Sequence, residues 1–400
     1  MVEVNKIPHG YKMSEVGIIP EEWKVSTVKE SYDICNNLRM PISQDKRNKM
    51  QGQYPYYGPT KIQDYINEYR IEGKYALIGE DGDHFLKYST KPMTLLVDGK
   101  FNVNNHAHIV KGRIGTTEWF YLFFCHRDIT QVLSRQGAGR YKLNKATLEK
   151  LNIALPSVSE QKFIYEIIKD TENLIVTIEK LICKKKLIKK GSMQELLTGK
   201  RRINGYNSKW KYEKLKNLAK MESGGTPNTN NKEYYNGNIP WAVIADITET
   251  GKYIYRTKKN ISNLGLKYST AKLFKKDIIL FAMYASIGKC AISKIPTTCN
   301  QAILGIDTLN INSEFLYYYL SFKENEFIML GQTGAQSNLN KEIVGETIIP
   351  CPSEQEQLAI VTVLSDMDKE IEALQKKLDK YKKIKEGMME ELLTGKRRLI

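Results

Sequence analysis

The sequence predicts an α+β protein in which two globular domains are separated by two long helices that form an antiparallel coiled coil. Three observations predict this class: a ten-residue segment occurs twice, a long run of helical period precedes each copy, and short β-rich runs fill the rest. The predicted bounds are 1–155 for the first globular domain, 156–203 for a central helical spacer, 204–349 for the second globular domain and 350–400 for a C-terminal helical spacer.

The duplicated segment is Met-Gln-Glu-Leu-Leu-Thr-Gly-Lys-Arg-Arg at 193–202, and it recurs at 389–398 with one substitution. Other landmarks recur in the same order, whereas the stretches between them do not match. The chain is therefore predicted to be a tandem of one shared helix and two different globular segments. The paired landmarks are Trp23-Lys24 with Trp210-Lys211, Leu143-Asn144-Lys145 with Leu339-Asn340-Lys341, and Ser159-Glu160-Gln161 with Ser353-Glu354-Gln355.

Caps and periodicity predict that the shared segments are helical. Ser159 and Ser353 are expected to be N-caps, and Gly199 and Gly395 lie where the helices should end. Apolar residues then recur at spacings of three and four, as in a coiled-coil seam. The apolar seam residues predicted to pair are Ile168, Ile175, Ile178 and Ile182 in the first helix and Leu364, Met367, Ile371, Leu374, Leu378 and Tyr381 in the second.

The first helix also has polar residues in its seam, namely Thr171, Lys185, Lys189 and Ser192, which weakens its predicted pairing. The alternative is that each helix folds onto its own domain, since isolated heptads also occur in globular bundles.

The globular segments are expected to contain twisted sheets, because short runs rich in β-branched and aromatic residues alternate with Gly, Pro and Asn. The runs expected to be strands are 75–78, 94–97, 106–110 and 117–124 in the first segment and 241–244, 278–283 and 302–306 in the second.

The charge balance favours a polyanionic partner. The 400 residues include 61 Lys and Arg against 45 Asp and Glu, a formal charge of +16, and most of the excess lies outside the helical segments. No run reaches the roughly 18 apolar residues of a membrane span, and no signal peptide is recognisable, so a cytoplasmic protein without a membrane partner is expected. The six cysteines form no C-x-x-C pair and are expected to be reduced.

Catalytic motifs are missing from the sequence. There is no P-loop, H-E-x-x-H, G-x-S-x-G or strand-linked G-x-G-x-x-G, which argues against an enzyme. Two clusters keep other options open. His106 and His108 could chelate a metal from one strand face, and Glu80, Asp81 and Asp83 could bind magnesium, although polar contacts and a turn are the favoured interpretations.

Loops rich in amide, hydroxyl and aromatic groups suit contacts with base edges. Any single loop is as well explained as an ordinary turn, so the argument depends on their number. They lie at 54–60, 104–106, 223–228, 285–289, 300–301 and 332–340.

The duplicated helices, the opening Gly-Ile-Ile-Pro-Glu-Glu-Trp at 17–23 and loops such as Ile-Gly-Glu-Asp-Gly at 78–82 and Ser-Gly-Gly-Thr-Pro at 223–227 resemble the specificity subunit of type I restriction-modification enzymes. The resemblance covers essentially the whole chain. It implies that each globular domain is a target-recognition domain reading one half of a split, asymmetric double-stranded DNA site. It also implies that the helices set the gap and bind the methyltransferase subunits, with a restriction (translocase) subunit in the full complex.

On this interpretation the chain has no catalytic residue, no metal and no cofactor of its own, and the partners use S-adenosylmethionine, ATP and magnesium. Basic residues are expected to hold phosphates and polar residues to read bases. The expected phosphate contacts are Arg140, Lys142, Lys145, Lys289 and Lys341, and the expected base contacts are Asn105, His106, Gln301, Gln336 and Asn338. Further DNA-binding candidates are Tyr57, Gly58, Thr60, Glu80, Asp81, Asn104, Tyr141, Gly225, Thr226, Ser286, Asn300 and Ser337.

Two other functions stay open on the residues alone. One is a stand-alone DNA nuclease or methyltransferase, and the other is a basic scaffold that binds RNA or acidic proteins. Activity of the purified chain would favour the first, and a lack of preference for any duplex sequence would favour the second.

Overall fold

The computed structural model describes residues 7–136, 140–333 and 339–399. Its contacts divide the chain into two compact units, residues 1–178 with 377–400 (unit 1) and residues 179–376 (unit 2). Each unit combines one globular domain, called domain 1 or domain 2 below, with a part of each long helix.

Unit 1 is an α+β unit whose strands precede the first long helix. Its strands are β1 (Tyr11–Ser14), β2 (Gly17–Pro20), β3 (Lys24–Thr27), β4 (Tyr32–Ile34), β5 (Gln51–Tyr57), β6 (Ile62–Ile66), β7 (Ile71–Glu72), β8 (Tyr75–Gly79), β9 (Thr94–Val97), β10 (Lys100–Val103), β11 (Ala107–Gly112), β12 (Ser134–Gln136), β13 (Arg140–Lys142) and β14 (Asn152–Leu155). Its helices are α1 (Val28–Ser31), α2 (Gln44–Lys49), α3 (Thr117–Cys125), α4 (Lys145–Lys150) and the first part of α5 (Val158–Leu197), with 3-10 turns at Asn36–Leu38, Asp83–Lys87 and Thr130–Val132.

Unit 2 repeats this composition. Its strands are β15 (Lys211–Lys214), β16 (Ala219–Ser223), β17 (Ile239–Ala242), β18 (Tyr253–Ile254), β19 (Lys259–Ile261), β20 (Ile278–Ala282), β21 (Cys290–Ser293), β22 (Thr298–Cys299), β23 (Ile303–Thr308) and β24 (Ile348–Cys351). Its helices are α6 (Leu215–Leu218), α7 (Ile244–Glu249), α8 (Asn263–Lys267), α9 (Ser313–Phe322), α10 (Glu324–Thr333), α11 (Lys341–Gly345) and the first part of α12 (Glu354–Leu392), with a 3-10 turn at Lys232–Tyr235.

The two globular domains share one topology, although their sequences do not match between the landmarks. In domain 1 one sheet has the order β4-β11-β8-β9, and in domain 2 the corresponding order is β16-β23-β20-β21, with antiparallel neighbours in both. A second sheet contains the parallel pair β5–β10 in domain 1 and the parallel pair β17–β22 in domain 2. The same framework is therefore built twice with different side chains.

One expected strand is wrong: residues 117–124 belong to helix α3. The Thr116 hydroxyl accepts a hydrogen bond from the Trp119 amide at 3.1 Å and so caps the helix. Trp119, Phe120 and Phe124 are buried in the core of unit 1. Aromatic residues favour strands on average, but here the burial of seven of the nine helix residues outweighs that preference.

The shared segments are helical, but the predicted N-cap of the first helix is two residues out. Ser157, not Ser159, caps α5, because its hydroxyl accepts from the Glu160 amide at 3.2 Å. Ser353 caps α12 as expected, accepting from the Glu356 amide at 3.3 Å. Ser157 therefore corresponds to Ser353, and Glu160 corresponds to Glu356 rather than to Glu354.

The two helices end as the glycines predict. Gly199 and Gly395 both have a φ of 70°, a left-handed conformation that favours glycine. The Gly199 amide donates to the Leu196 carbonyl at 3.4 Å, and the Gly395 amide donates to the Leu392 carbonyl at 3.3 Å.

In unit 1 the first part of α5 packs on the last part of α12. Ile168 and Leu392 share the core cluster, and Lys385 Nζ lies 2.6 Å from Glu172 Oε1. The Thr171 hydroxyl donates to the Ile167 carbonyl of its own helix at 3.0 Å and lies 3.7 Å from the Met388 sulfur of α12. The polar seam position at Thr171 is thus satisfied within α5 while it contacts the opposite helix.

In unit 2 the second part of α5 packs on the first part of α12. Lys185 pairs with Glu370 at 2.6 Å, and Lys189 pairs with Asp368. Within each unit, residues further along α5 contact residues earlier in α12, so the two helices are antiparallel. The predicted fold class is confirmed, and the lysines of the weak seam make ion pairs across it.

Each seam residue named from the sequence is buried or half-buried. Among the described helices none has the length and apolar character that crossing a membrane requires.

Candidate nucleic-acid interface

Most of the site residues predicted in domain 1 meet where β5, β8 and β10 end. The Asn104 amide donates to the Tyr57 carbonyl at 3.0 Å, and the Glu80 amide donates to the His106 carbonyl at 2.8 Å. The Leu143 amide, just after β13, donates to the Glu80 carbonyl at 2.7 Å. We call this assembly the domain 1 corner; it comprises Tyr57, Gly58, Glu80, Asp81, Asn104, Asn105, His106, Tyr141 and Lys142.

Glu80 forms ion pairs with two basic residues at the domain 1 corner. Its carboxylate lies 2.8 Å from Arg39 Nη1 and 3.5 Å from Lys142 Nζ. Both basic groups are therefore held by a carboxylate, and the Lys142 side chain keeps 28% of its surface exposed. The arrangement holds Lys142 in place while leaving part of its charge accessible.

His106 and His108 take different partners. His106 Nδ1 lies 2.8 Å from Asp81 Oδ2, and its side chain is half-exposed. The buried His108 accepts at Nδ1 from Asn36 (2.9 Å) and from Arg39 (2.8 Å), so its proton lies on Nε2, which donates to the Leu143 carbonyl at 2.7 Å. Burial lowers the pKa of His108. Its neutral ring has a structural role, because it links Asn36 and Arg39 to the backbone at Leu143.

In the part of the chain that the structure describes, neither of the two clusters that the sequence suggested as metal sites forms such a site. Among residues 7–136, 140–333 and 339–399, no group of three or more His, Cys, Asp or Glu side chains could hold a metal ion. Glu80 and Asp81 are engaged by basic partners instead.

The two asparagine side chains of the domain 1 corner differ in exposure to solvent. Asn104 is buried, donating to Gln63 Oε1 at 2.9 Å and accepting from the His106 amide at 2.8 Å. Asn105 beside it is exposed. Asn104 therefore shapes the loop, and Asn105 and His106 are the side chains that reach solvent.

Three predicted residues of domain 1 lie outside this set of contacts. Thr60 is half-buried in the turn between β5 and β6. Lys145 begins α4 and lies 3.7 Å from Glu149. The backbone of Arg140 is in β13, but its side chain is outside the described structure.

In domain 2, four predicted residues form a second corner, which we call the domain 2 corner: Gly225, Thr226, Asn300 and Gln301. The Gly225 amide donates to the Cys299 carbonyl at 2.8 Å, and the hydroxyl of Thr226 bonds Gln301 Oε1. A Cβ on Gly225 would lie 2.3 Å from the Ala271 nitrogen, so only glycine fits there. The Asn300 side-chain oxygen is buried without a hydrogen-bond partner in the described residues.

Ser286 and Lys289 lie in the turn between β20 and β21. The Lys289 amide donates to the Ser286 carbonyl at 3.1 Å, and Lys289 Nζ lies 2.9 Å from Glu324 Oε1. Lys341 begins α11 directly after its N-cap Asn340 and is exposed. Gln336, Ser337 and Asn338 lie outside the described residues.

The two corners are equivalent positions of the shared framework. The Asn104 amide donates to the carbonyl that ends β5, and the Asn300 amide donates at 3.1 Å to the Ala242 carbonyl that ends β17. Their side chains differ: where domain 1 has Asn105 and His106, domain 2 has Gln301 and Ala302. One chain thus presents two chemically different surfaces on one scaffold.

The type I restriction modification DNA specificity domain matches this chain twice, at residues 20–189 and 207–383. This chain belongs to that family. It is similar to the type I restriction enzyme MjaVIII specificity subunit of Methanocaldococcus jannaschii, with 26% identity over 95% of this chain and 94% of the relative.

Solved structures agree on the fold. The type I restriction-modification S subunit of M. genitalium superposes with a TM-score of 0.62 at 14% identity, over 95% of this chain and 97% of that one. A chain from a structure described as showing complex assembly and conformational transition of the type I restriction-modification system superposes with a TM-score of 0.53 at 15% identity, over 94% and 99%.

As a specificity subunit, the chain is a non-catalytic DNA-recognition subunit with two DNA specificity domains, and the family needs no cofactor of its own. The comparisons favour neither a stand-alone nuclease or methyltransferase nor a general basic scaffold.

Sequence reasoning missed three residues of the specificity subunit that contact the domain 1 corner: Arg39, Gln63 and Arg135. Arg39 and Gln63 contact residues 41 positions away along the chain, Glu80 and Asn104 respectively. No local sequence motif predicts such contacts. Arg135 lies in none of the predicted loops, and its contact with Tyr141 depends on the pairing of β12 with β13.

Proposed function

We propose that this specificity subunit reads a bipartite, asymmetric double-stranded DNA site, with domain 1 reading one half-site and domain 2 the other. The observation that carries this proposal is one topology built twice with different side chains at the equivalent corners. Identical domains would read identical half-sites, whereas different corners on one framework read different sequences.

The corners have the chemistry for both parts of DNA recognition. Exposed amide and imidazole groups, such as Asn105, His106 and Gln301, can bond base edges in the major groove. Lys142 is held at the domain 1 corner by Glu80, Lys289 is held in the turn between β20 and β21 by Glu324, and both stay partly exposed. Binding to phosphate would exchange part of that pairing for the DNA backbone, and such contacts are salt-dependent.

The helix pair supports docking of methyltransferase and restriction subunits. Outside the seam, α5 exposes Leu187 (65%) and Ile188 (45%), and α12 exposes Leu358 (47%) in the same unit. Apolar side chains on the outside of a coiled coil suit burial against further helices. The partners would use S-adenosylmethionine, ATP and magnesium, and the DNA partner is consistent with a cytoplasmic location.

Selection from a randomised duplex pool tests the proposal. The full chain with the methyltransferase subunit of its own system is incubated with the pool at two salt concentrations, and the retained DNA is sequenced. We expect two short motifs separated by a constant unspecified gap, and weaker retention at the higher salt.

A palindromic pair of identical motifs would contradict the assignment of different half-sites to the two domains. Retention without any enriched sequence would contradict sequence recognition altogether. The matched control is the methyltransferase subunit alone, which should enrich no bipartite motif.

A further inference from the structure

We infer that Arg135 is a specificity-determining residue that reads a guanine in the half-site of domain 1; this rests on the proposed function. Arg135 lies on β12, directly opposite Tyr141 on β13 in an antiparallel pair. None of the motifs in the sequence points to it.

Tyr141 contacts the Arg135 guanidinium through both its ring and its hydroxyl group. The guanidinium carbon lies 5.0 Å from the centre of the Tyr141 ring, and Nη2 donates to the Tyr141 hydroxyl at 2.8 Å. Tyr141 in turn packs against the buried core of unit 1. Because a guanidinium has five N–H donors, most of the fork stays available for a ligand in a preorganised geometry.

The hairpin that carries Arg135 is attached to the domain 1 corner. The Gly82 amide donates to the Tyr141 carbonyl at 3.1 Å, and Asp81 and Lys142 form a β-bridge. Arg135 therefore lies on a hairpin whose second strand is bonded to the loop that carries Asp81 and Gly82.

Among the arginine side chains of domain 1 that the structure describes, Arg135 differs in the kind of partner that its guanidinium group has. Its partner is an aromatic side chain, whereas each of the others is bound by a carboxylate or by a backbone carbonyl. Arg39 pairs with Glu80, Arg47 with Asp64, Arg70 with the Asn37 carbonyl, Arg113 with the Lys29 and Glu30 carbonyls, and Arg127 with the Val16 carbonyl.

The base that fits this group is guanine. Its O6 and N7 acceptors match two parallel N–H donors of one guanidinium, and this is the commonest specific arginine contact in the major groove. The position also varies between the halves in both side chain and local structure: at the offset of 196 that relates the duplicated segments, Arg135 on β12 aligns with Gly331 in helix α10. A side chain absent from the other half belongs to recognition of one half-site, not to the common framework.

The test is pool selection with the full chain and its methyltransferase subunit, comparing the wild type with Arg135→Ala and Arg135→Lys. We expect both variants to lose the preference for one G·C pair in one motif and to keep the other motif. Affinity for the wild-type site should fall roughly 5- to 150-fold, the discrimination of one bidentate pair.

Arg135→Lys separates base reading from phosphate binding, since lysine keeps the charge but lacks the fork. If it retains the preference for guanine, or if both variants select the wild-type motifs, the inference is overturned while the proposed function stands. If the wild type itself enriches no bipartite motif, the proposed function fails. Arg113→Ala is the matched control, an exposed arginine of the same domain that should leave both motifs unchanged.

Discussion

Arg398 forms a two-pronged ion pair with the buried Glu160, although 238 residues separate them in the chain. Nε and Nη2 of Arg398 lie 2.6 and 3.1 Å from the two carboxylate oxygens, and Trp23 Nε1 donates to the same carboxylate at 3.2 Å. In unit 2, Arg202 holds Glu356 in the same way. The duplicated Arg-Arg and Trp landmarks are therefore two copies of one clamp.

The second copy of the clamp has the same composition. Trp210 Nε1 donates to Glu356 at 2.9 Å, and the Glu356 side chain is fully buried. In unit 2 the clamp joins Arg202, just after α5, to the start of α12, and in unit 1 it joins Arg398, just after α12, to the start of α5.

Removing Arg398 should destabilise unit 1. Arg398→Ala leaves the Glu160 carboxylate buried with Trp23 as its main donor, at an expected cost of about 2–4 kcal/mol, somewhat below a fully buried pair because Arg398 is a quarter exposed. Urea unfolding followed by circular dichroism measures this. The control is Arg397→Ala, whose pair with Glu391 is exposed and should contribute less than about 1 kcal/mol. Equal effects of the two variants would contradict the clamp.

Acidification should weaken domain 1 through His108. Burial lowers the pKa of His108 below its ordinary value of 6.5, so the unfolded chain takes up the proton more readily than the folded one. The contribution of the neutral ring is therefore fully present above about pH 6.5 and is lost as the pH falls towards the folded pKa. Urea midpoints at pH 7.5 and 5.5 test this, and His108→Gln should show a smaller difference than the wild type. An unchanged difference would show that other groups carry it.

Asp368 should matter more than its position on a helix surface suggests. It pairs with Lys189 across the seam and accepts from the Tyr318 hydroxyl at 2.7 Å. Asp368→Ala leaves both partners without their acceptor, and we expect a loss of about 1–3 kcal/mol in unfolding free energy. Glu372→Ala removes an exposed pair with Lys376 and should cost less than about 0.5 kcal/mol. Similar losses would assign no special role to the cross-seam pair.

Lys289 should affect affinity and not sequence preference. As a phosphate contact, Lys289→Ala should weaken binding about equally across duplex sequences and reduce the dependence of log affinity on log salt by roughly one. Titration of selected and scrambled duplexes at several salt concentrations measures both quantities. Lys376→Ala, an exposed lysine of α12, is the control with no expected effect. A change confined to the selected duplex would instead assign base reading to Lys289.

Leu187 should contribute to partner binding and not to folding. Its side chain is 65% exposed on α5, so Leu187→Ala should leave the unfolding free energy within about 0.5 kcal/mol. Association with the methyltransferase subunit, measured by calorimetry, should weaken. The contrasting variant is Leu364→Ala in the buried seam, which should cost about 2–5 kcal/mol. Unchanged association of the Leu187 variant would exclude this face of α5 from the docking surface.

The helix pair was predictable because its signals are local. Period, caps and glycine stops all lie within one segment, and a repeated segment shows them twice. The two-residue error at Ser159 arose because Ser-Glu-Gln is a short match. In the structure Ser157 corresponds to Ser353, because the hydroxyl of each accepts a hydrogen bond from the backbone amide three residues later.

The corners were predictable in part. Loops at Glu80–Asp81 and Asn104–His106 were expected from turn residues. That these two loops lie next to each other depends on which strands pair in the sheet. That pairing also placed Arg39 beside Glu80 and Arg135 on Tyr141. The contact between Arg39 and Glu80 leaves no trace in sequence spacing, because it joins residues 41 positions apart in the chain.

The amino-acid sequence by itself determined the tandem organisation, the two coiled-coil helices with their seam, and the family resemblance. Only the tertiary structure decided that the unmatched globular segments share one topology, that the duplicated arginines close on buried glutamates, and that polar seam residues are paired. The physical reason is range: helical period and caps are set by neighbours a few residues away, whereas sheet pairing, ion pairing and burial are set by residues that meet only when the chain has folded.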